Sequence, residues 1–259
     1  MDFYIVLIFL LGLCLGSFLN VIIYRWAEGL SIISPLFSIC PKCGHTLKWH
    51  HNIPLLSYIF LKGRCAFCKE KISIRYPFVE LITAVGLTYI YLKFQPLYGW
   101  VSFLGFSFYF LVLIAISFID LKTKEIPDKL SLSLILAGWF FSLLGFNPLI
   151  DFKTSLLSGF SGAGLLFLIN EFYYQITKRD GIGIGDFKLM GGIGAFLGYS
   201  SFYTILLLAS IIGILVFLIT KLFKKDTEKI DLKTEIPFGP FLALASLFYL
   251  FNWIRISLY

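Results

Sequence analysis

The sequence contains several apolar runs longer than 18 residues, separated by short polar segments. Such a run can form a helix that crosses the hydrocarbon core of a bilayer, which takes about 20 residues. Only 14% of the residues are charged and the mean hydropathy is +0.86, whereas soluble domains usually contain about 25% charged residues. We therefore predict an all-α, polytopic transmembrane helix bundle of about eight crossings. The predicted spans are residues 3–25, 77–94, 98–119, 129–147, 153–176, 187–198, 200–222 and 237–256.

The stretch 187–198 is the shortest of these spans, and it is rich in glycine. It is too short for an ordinary crossing, so it forms either a short tilted helix inside the bundle or a re-entrant segment. Its glycines would allow neighbouring helices to approach closely.

Basic residues are concentrated in alternate connections between the spans. The segment 26–76 contains the largest group, and the connections 120–128, 177–188 and 223–236 are also basic. Because basic loops stay on the cytoplasmic side, we expect these four connections inside and both termini outside. The net charge of +7 is then explained by the basic residues of the cytoplasmic connections, and the partner that it implies is the lipid bilayer. We expect no nucleic-acid binding, since no basic stripe lies in a polar domain.

Two C-x2-C pairs, Cys40–Cys43 and Cys65–Cys68, occur within the polar segment 26–76. Two thiolate pairs at this spacing are typical of a tetrahedral metal site with four sulfur ligands. A disulfide is disfavoured in a reducing cytoplasm. We expect a structural zinc ion and a small zinc-ribbon-like domain; an iron–sulfur cluster and a metal-free thiol role are the alternatives.

Four acidic residues lie near or inside the apolar spans: Glu80, Asp120, Glu171 and Asp186. Acids at membrane depth are costly and tend to be functional. In the predicted topology, Asp120 and Asp186 both lie at cytoplasmic ends of helices, so they can face one another. We therefore expect the two aspartates to form one site.

Two carboxylates in one site share a proton, because both cannot ionise cheaply. The ionised group can activate a water as a general base, while the protonated group polarises a scissile carbonyl. Gly183 and Gly185 would shape the backbone around Asp186, and Lys188 is a candidate for supporting a nearby negative charge. These residues predict an aspartic peptidase.

Simpler explanations exist for each aspartate. Asp120 could be a boundary residue paired with Lys122 or Lys124, and Asp186 could cap a helix that starts at Phe187. The same acids, together with Glu171, would suit an ion- or proton-coupled transporter, although the sequence shows no inverted repeat. A metal-binding membrane scaffold without catalytic activity is a third possibility.

The order of the motifs resembles the bifunctional type IV prepilin peptidases, also called leader peptidase/N-methyltransferases. The resemblance covers nearly the whole chain. It is carried by the strings Gly16-Ser17-Phe18-Leu19-Asn20-Val21, Tyr24-Arg25, the two Cys pairs, Asn52-Ile53-Pro54, Ser57-Tyr58, Gly63-Arg64-Cys65, Arg75-Tyr76-Pro77, Asp120, Ile126-Pro127-Asp128 and Gly183-Ile184-Gly185-Asp186-Phe187-Lys188.

The resemblance implies that Asp120 and Asp186 are catalytic, the second within the G-x-G-D string that presenilin-like proteases share. It implies cleavage of the basic leader of pilin or pseudopilin precursors at the cytoplasmic face of the bacterial inner membrane. N-methylation of the new N-terminus by S-adenosylmethionine would follow. At position 180 the chain has Asp, where relatives usually have Glu before glycine.

The resemblance also implies a division of the chain into three regions. Residues 1–25 would form the first transmembrane helix, 26–76 the cytoplasmic zinc-binding loop associated with methylation, and 77–259 the peptidase core. Glu80 lies at the start of the second span and is a candidate for the methyltransferase site, where it would accept from an amine or a ribose. Its alternative is a boundary acid that is solvated or paired with Arg75.

Overall fold

The regular structure of the chain is helical. The computed structural model describes residues 2–34, 37–223 and 237–256, and within these ranges only isolated β-bridges accompany the helices. The all-α prediction is therefore confirmed for the described part of the chain. The helices are α1 (Asp2–Ala27), α2 (Leu56–Phe60), α3 (Arg75–Thr123), α4 (Asp128–Leu143), α5 (Phe152–Thr177), α6 (Ile184–Leu197), α7 (Phe202–Phe223) and α8 (Gly239–Ile256), with 3₁₀ turns at Trp49–His51 and Tyr199–Ser201.

Within the described residues, four helical segments are long and apolar enough to cross a membrane by length and composition: Phe3–Ala27, Arg75–Thr123, Phe152–Thr177 and Tyr199–Leu222. The number of crossings stays a prediction. Of the basic connection predicted at 223–236, residues 224–236 lie outside the described residues.

The chain divides into two compact units, Met1–Ala115 and Ile116–Tyr259. The first contains α1, most of α3 and, between them, the polar segment 26–76 with the two Cys pairs (the Cys-rich segment); the second contains the end of α3 and helices α4 to α8. The functional division at residues 25 and 76 stays a prediction.

Helix α3 is a helical hairpin in the first unit. Gly99, at φ 80°, interrupts its 49 residues. The Phe94 and Phe106 rings stack with centroids 4.2 Å apart, and Gly86 lies against the Phe110 ring. These contacts pair residues in reversed order, so the two halves run antiparallel. This matches the separate spans predicted at 77–94 and 98–119.

Helix α1 packs against the first half of α3 with the two backbones almost in contact. A Cβ at Gly12 would lie 2.5 Å from Ala84 Cα, and one at Gly16 would lie 2.6 Å from Glu80 Cα. Glycines four residues apart allow this approach between membrane helices. The crossing brings the start of α3, with Glu80, against the middle of α1.

Helix α6 is almost entirely buried within the second unit, with 11 of its 14 residues buried. It packs against both α4 and α5. A Cβ at Gly191 would lie 3.0 Å from the Gly159 carbonyl oxygen of α5, and a Cβ at Gly138 of α4 would lie 2.8 Å from Ala195 Cβ. The stretch predicted at 187–198 is therefore a short helix packed inside this unit.

Polar side chains satisfy the last carbonyls of α6. Ser155 Oγ donates to the Ala195 carbonyl at 2.7 Å, and Asn147 Nδ2 donates to the Phe196 carbonyl at 3.0 Å. The terminal carbonyls of a helix lack partners within the helix, and leaving them unpaired in an apolar interior is costly. These two hydrogen bonds hold the C-terminal end of α6, whereas Asp186 lies in its first turn.

We expect Gly12→Ala to lower the thermal stability of the purified protein in detergent. The new methyl group would meet the α3 backbone, which cannot move aside as a flexible side chain can, and such overpacking costs about 1–3 kcal/mol. Gly164→Ala in α5 is the matched control, because a Cβ there meets nothing within 4 Å. Equal melting temperatures for the two variants would contradict the close crossing of α1 and α3.

Candidate active site and metal centre

Asp120 lies near the end of α3 and is 4% exposed. Its Oδ2 accepts a hydrogen bond of 3.0 Å from the backbone N–H of Gly239, the first residue of α8. The first amides of a helix lack intrahelical partners and carry a partial positive charge. The N-terminus of α8 therefore holds one oxygen of Asp120.

Asp186 lies in the first turn of α6 and is 9% exposed. Its Oδ2 accepts a 3.3 Å hydrogen bond from the Gly183 N–H. Its Oδ1 is buried and has no hydrogen-bond partner in the described part of the chain. Because α6 begins at Ile184, the alternative of a helix starting at Phe187 is wrong in position. One oxygen of Asp186 does stabilise the helix start, and the other is left for a ligand.

The two aspartates belong to one site. Their carboxyl groups lie close enough to interact electrostatically. Ile126 lies beside Gly185, the residue before Asp186, and beside Gly239, which contacts Asp120: a Cβ at Gly185 would lie 2.8 Å from Ile126 Cβ, and one at Gly239 would lie 2.9 Å from Ile126 Cδ1. The structure thus brings together two acids that are far apart in the sequence, with glycine backbone beside each of them.

Lys188 and Glu171 have other partners. Lys188 Nζ forms an ion pair with Asp128 Oδ1 at 2.7 Å. The negative charge next to Lys188 is therefore that of Asp128, the first residue of α4. Glu171 is exposed and accepts from Gln175 Nε2 at 3.3 Å, one turn along the same helix.

Gly239 is a site residue that the sequence reasoning missed. Its amide is a direct partner of Asp120, and a Cβ at this position would lie 2.6 Å from Asp120 Oδ2. The signal was present in the string Pro237-Phe238-Gly239-Pro240, since Pro in the first turn marks a helix start with unpaired amides. What the string did not reveal is which acid these amides face.

Glu80 is buried in the first unit, 8% exposed. Its Oε2 accepts a 2.8 Å hydrogen bond from the backbone N–H of Leu55. The Arg75 guanidinium instead lies over the Tyr76 ring, 5.1 Å from the centroid. A loop amide therefore holds Glu80, and the Arg75 pairing that was its alternative is not among the ion pairs of the described residues.

The four cysteines predicted as ligands come together in the structure. The sulfurs of Cys40, Cys43, Cys65 and Cys68 all lie within 4.8 Å of one another, with 3.9 Å between those of Cys40 and Cys68. Tetrahedral coordination at a metal–sulfur distance of about 2.3 Å separates the sulfurs by about 3.8 Å. The cluster has the dimensions to hold a metal ion.

The two Cys pairs occupy turns of the same geometry. The Cys40 N–H donates to the His45 carbonyl at 3.0 Å, and the Cys65 N–H donates to the Glu70 carbonyl at 2.9 Å. The fourth residue after each of these cysteines, Gly44 or Lys69, has a positive φ. Each turn therefore presents two sulfurs from a tight loop, as a metal knuckle requires.

The thiols of the cluster ionise unequally. A hydrogen bond from the His45 amide lowers the pKa of the Cys43 thiol to about 6. The Glu70 amide also favours the Cys68 thiolate, but burial and the neighbouring sulfurs raise the pKa of Cys68 to about 11. Four adjacent thiolates repel one another, so a bound cation is what allows all four protons to leave.

Two family models match the chain. Residues 10–94 match the bacterial peptidase A24 N-terminal domain, and residues 107–218 match the type IV leader peptidase family. No solved structure matches the chain.

Proteins named prepilin leader peptidase/N-methyltransferase are similar over most of the chain. That of Aeromonas salmonicida is 35% identical, over 93% of this chain and 88% of that protein. That of Neisseria gonorrhoeae is 36% identical, over 83% and 81%. The protein of Myxococcus xanthus is 37% identical, over 83% of this chain and 64% of its own length.

We expect the purified protein to contain about one metal ion per chain by elemental analysis, as a four-sulfur site does. Cys43→Ser and Cys68→Ser should each lose most of it, because three sulfurs hold the ion less tightly. Cys14→Ser is the matched control, since Cys14 is an exposed residue outside the cluster. Metal that survives both cluster substitutions, or is lost from the Cys14 variant, would contradict the assignment.

Proposed function

Because the chain belongs to the type IV leader peptidase family, we propose that it removes the leader from prepilin or pseudopilin precursors and N-methylates the new N-terminus. The peptidase reaction is assigned to Asp120 and Asp186. The observation that carries this assignment is the pairing of two buried carboxyls, each with a single backbone amide donor.

The two carboxyls share one proton. The ionised group takes a proton from a water molecule, whose oxygen attacks the carbonyl carbon of the scissile peptide bond. The protonated group donates a hydrogen bond to the carbonyl oxygen, where negative charge develops. When the C–N bond breaks, the leaving amine takes up the proton that the first carboxyl took from the water. An amide donor, unlike a lysine, positions a carboxyl without neutralising it.

The glycines beside the aspartates position the reacting groups. Gly183 and Gly239 each donate an amide to one aspartate, and Gly185 leaves room for Ile126. Small misplacements of reacting groups have large effects on rate. We assign the peptidase core to residues 77–259, with its active site facing the cytoplasm and both chain termini on the opposite side of the bacterial inner membrane.

The methyltransferase reaction uses S-adenosylmethionine as the donor. We assign this activity to the first unit, with residues 26–76 as the associated loop. Zinc is the metal that suits four thiolates, and a site closed by four sulfurs leaves no position for a substrate. Its role is therefore structural: it holds together a loop that has little core of its own.

A transporter is the weaker candidate. A proton relay needs acids that line one path, and Glu171 is exposed and bonded within its own helix.

We expect Asp120→Asn and Asp186→Asn each to reduce cleavage by about 100-fold or more, since general acid–base catalysis contributes at least that much. The assay mixes protein in liposomes with a prepilin bearing a basic leader and a Gly-Phe junction, and follows the product by mass spectrometry. Both variants should still insert in the membrane. Glu171→Gln, the same change elsewhere in a membrane helix, should cleave like the parent.

Cleavage at the parental rate by either aspartate variant would refute the dyad. A shift of one methyl group in the product mass, dependent on S-adenosylmethionine, tests the second activity in the same experiment.

We expect Gly239→Ala to reduce cleavage by about 10- to 100-fold without unfolding the protein. The methyl group would displace the Asp120 carboxyl from its amide donor, and a misplacement of this size is costly for catalysis. Gly164→Ala, which meets no neighbour, controls for the substitution itself. If the Gly239 variant cleaves normally, the contact between α8 and Asp120 has no catalytic importance.

A further inference from the structure

The first unit contains a cavity of about 460 Å³, a volume within the range of about 300–1,000 Å³ of small-molecule sites. Three parts of the chain line it: the C-terminal half of α1, the Cys-rich segment and the first turns of α3. Among them are Asn20 of α1, Leu55 of the loop and Glu80 of α3. The walls are mostly apolar, with a few polar groups between them, as is usual for a site that binds an organic molecule.

Glu80 is the acidic group deepest in this wall. Its Oε2 is held by the Leu55 amide, and the Ser17 side chain lies close enough to interact with the carboxylate. Leu55 has a φ of 59°, a conformation that is unfavourable for leucine. A carboxylate has about four acceptor positions, so this one retains capacity for donors from a ligand.

Two further groups of the wall have buried atoms without partners. Asn20 is 2% exposed; its Nδ2 donates to the Tyr76 carbonyl at 3.0 Å, while its Oδ1 accepts no hydrogen bond in the described part of the chain. The Nδ1 atom of His51 is also buried and has no hydrogen-bond partner in the described part of the chain. Buried polar atoms normally have partners, and each exception requires an explanation. A bound molecule rich in donors would supply them.

We propose that this cavity is the S-adenosylmethionine site, with Glu80 and Asn20 as the residues that bind the donor. This inference rests on the methyltransferase half of the proposed function. The ligand has an adenine ring for the apolar and aromatic wall, which includes Tyr24 and Tyr76. Its ribose hydroxyls and amino groups are donors for Glu80 and Asn20.

The same wall connects the cavity to the metal centre. Cys40 and Cys65, the two buried cysteines of the cluster, both line the cavity. A metal that joins the two knuckles therefore fixes one side of the cavity. The four cysteines would then help to bind the donor by holding this wall in place, and the metal would take no part in the reaction.

A lipid chain would also fit an apolar cavity of this volume. It would leave the Glu80 carboxylate and Asn20 Oδ1 with no new partner and would remove water from around them, which is unfavourable. The polar groups therefore favour a ligand with hydrogen-bond donors.

Binding of radiolabelled S-adenosylmethionine to the full-length protein in detergent, measured by equilibrium dialysis, tests the proposal. We expect saturable binding by the parent. Glu80→Gln and Asn20→Leu should each weaken it about tenfold or more, the effect of losing a hydrogen bond to a charged or buried group. Glu171→Gln, the same carboxylate-to-amide change in α5, should bind like the parent. Unchanged melting temperatures without ligand show that the variants are folded.

Three results would overturn the assignment. If both cavity variants bind like the parent while the parent methylates prepilin, the donor binds elsewhere and the proposed function stands. A parent that neither binds the donor nor methylates a cleaved prepilin removes the methyltransferase half of the function, and this site with it. If intact-protein mass spectrometry finds a phospholipid that S-adenosylmethionine does not displace, the cavity is a lipid site.

Discussion

The close packing of glycine-rich helix backbones is the interaction on which the second unit depends. Between membrane helices, association relies on close van der Waals contact and interhelical hydrogen bonds, because lipid is as apolar as the side chains it would replace. Glycine in α4, α5 and α6 lets three backbones meet, with Gly191 of α6 facing the Gly159 carbonyl. Helix α6 is too short to be an ordinary membrane span, yet this packing buries it and fixes Asp186 at its start. The geometry of the aspartate pair therefore rests on residues that have no side chain.

The three buried acids of the described residues share one kind of partner. Asp120, Asp186 and Glu80 each accept a hydrogen bond from a backbone amide, two of them at the first turns of helices. A lysine or arginine would satisfy a buried carboxylate more fully, but it would also neutralise it. Amide donors stabilise the carboxyl and leave its charge, or its proton, available. This is the arrangement expected of acids that act on a substrate or ligand rather than of acids that hold helices together.

The first unit combines a loop with little core of its own and two membrane helices. The two Cys turns repeat one geometry, and the sulfurs they present are close enough for one ion. The loop is also joined to the helices by hydrogen bonds, from Arg25 to the Ile32 carbonyl at 2.8 Å and from the Leu55 amide to Glu80. These contacts enclose a cavity between loop and helices, which is why a metal that shapes the loop also shapes the cavity.

Local features of the sequence determined the helical class, the short apolar stretch at 187–198, the four clustered cysteines and the choice of Asp120 and Asp186 as candidates. Run length, the spacing of cysteines and the cost of an acid at membrane depth can all be read within a short window. The tertiary structure decided the rest. Gly239 lies 119 residues from Asp120, Lys188 pairs with Asp128 rather than with the aspartates, and Asn20 is left with a buried oxygen in a cavity wall. Such contacts depend on which backbones approach one another across the fold, and no local pattern encodes that pairing.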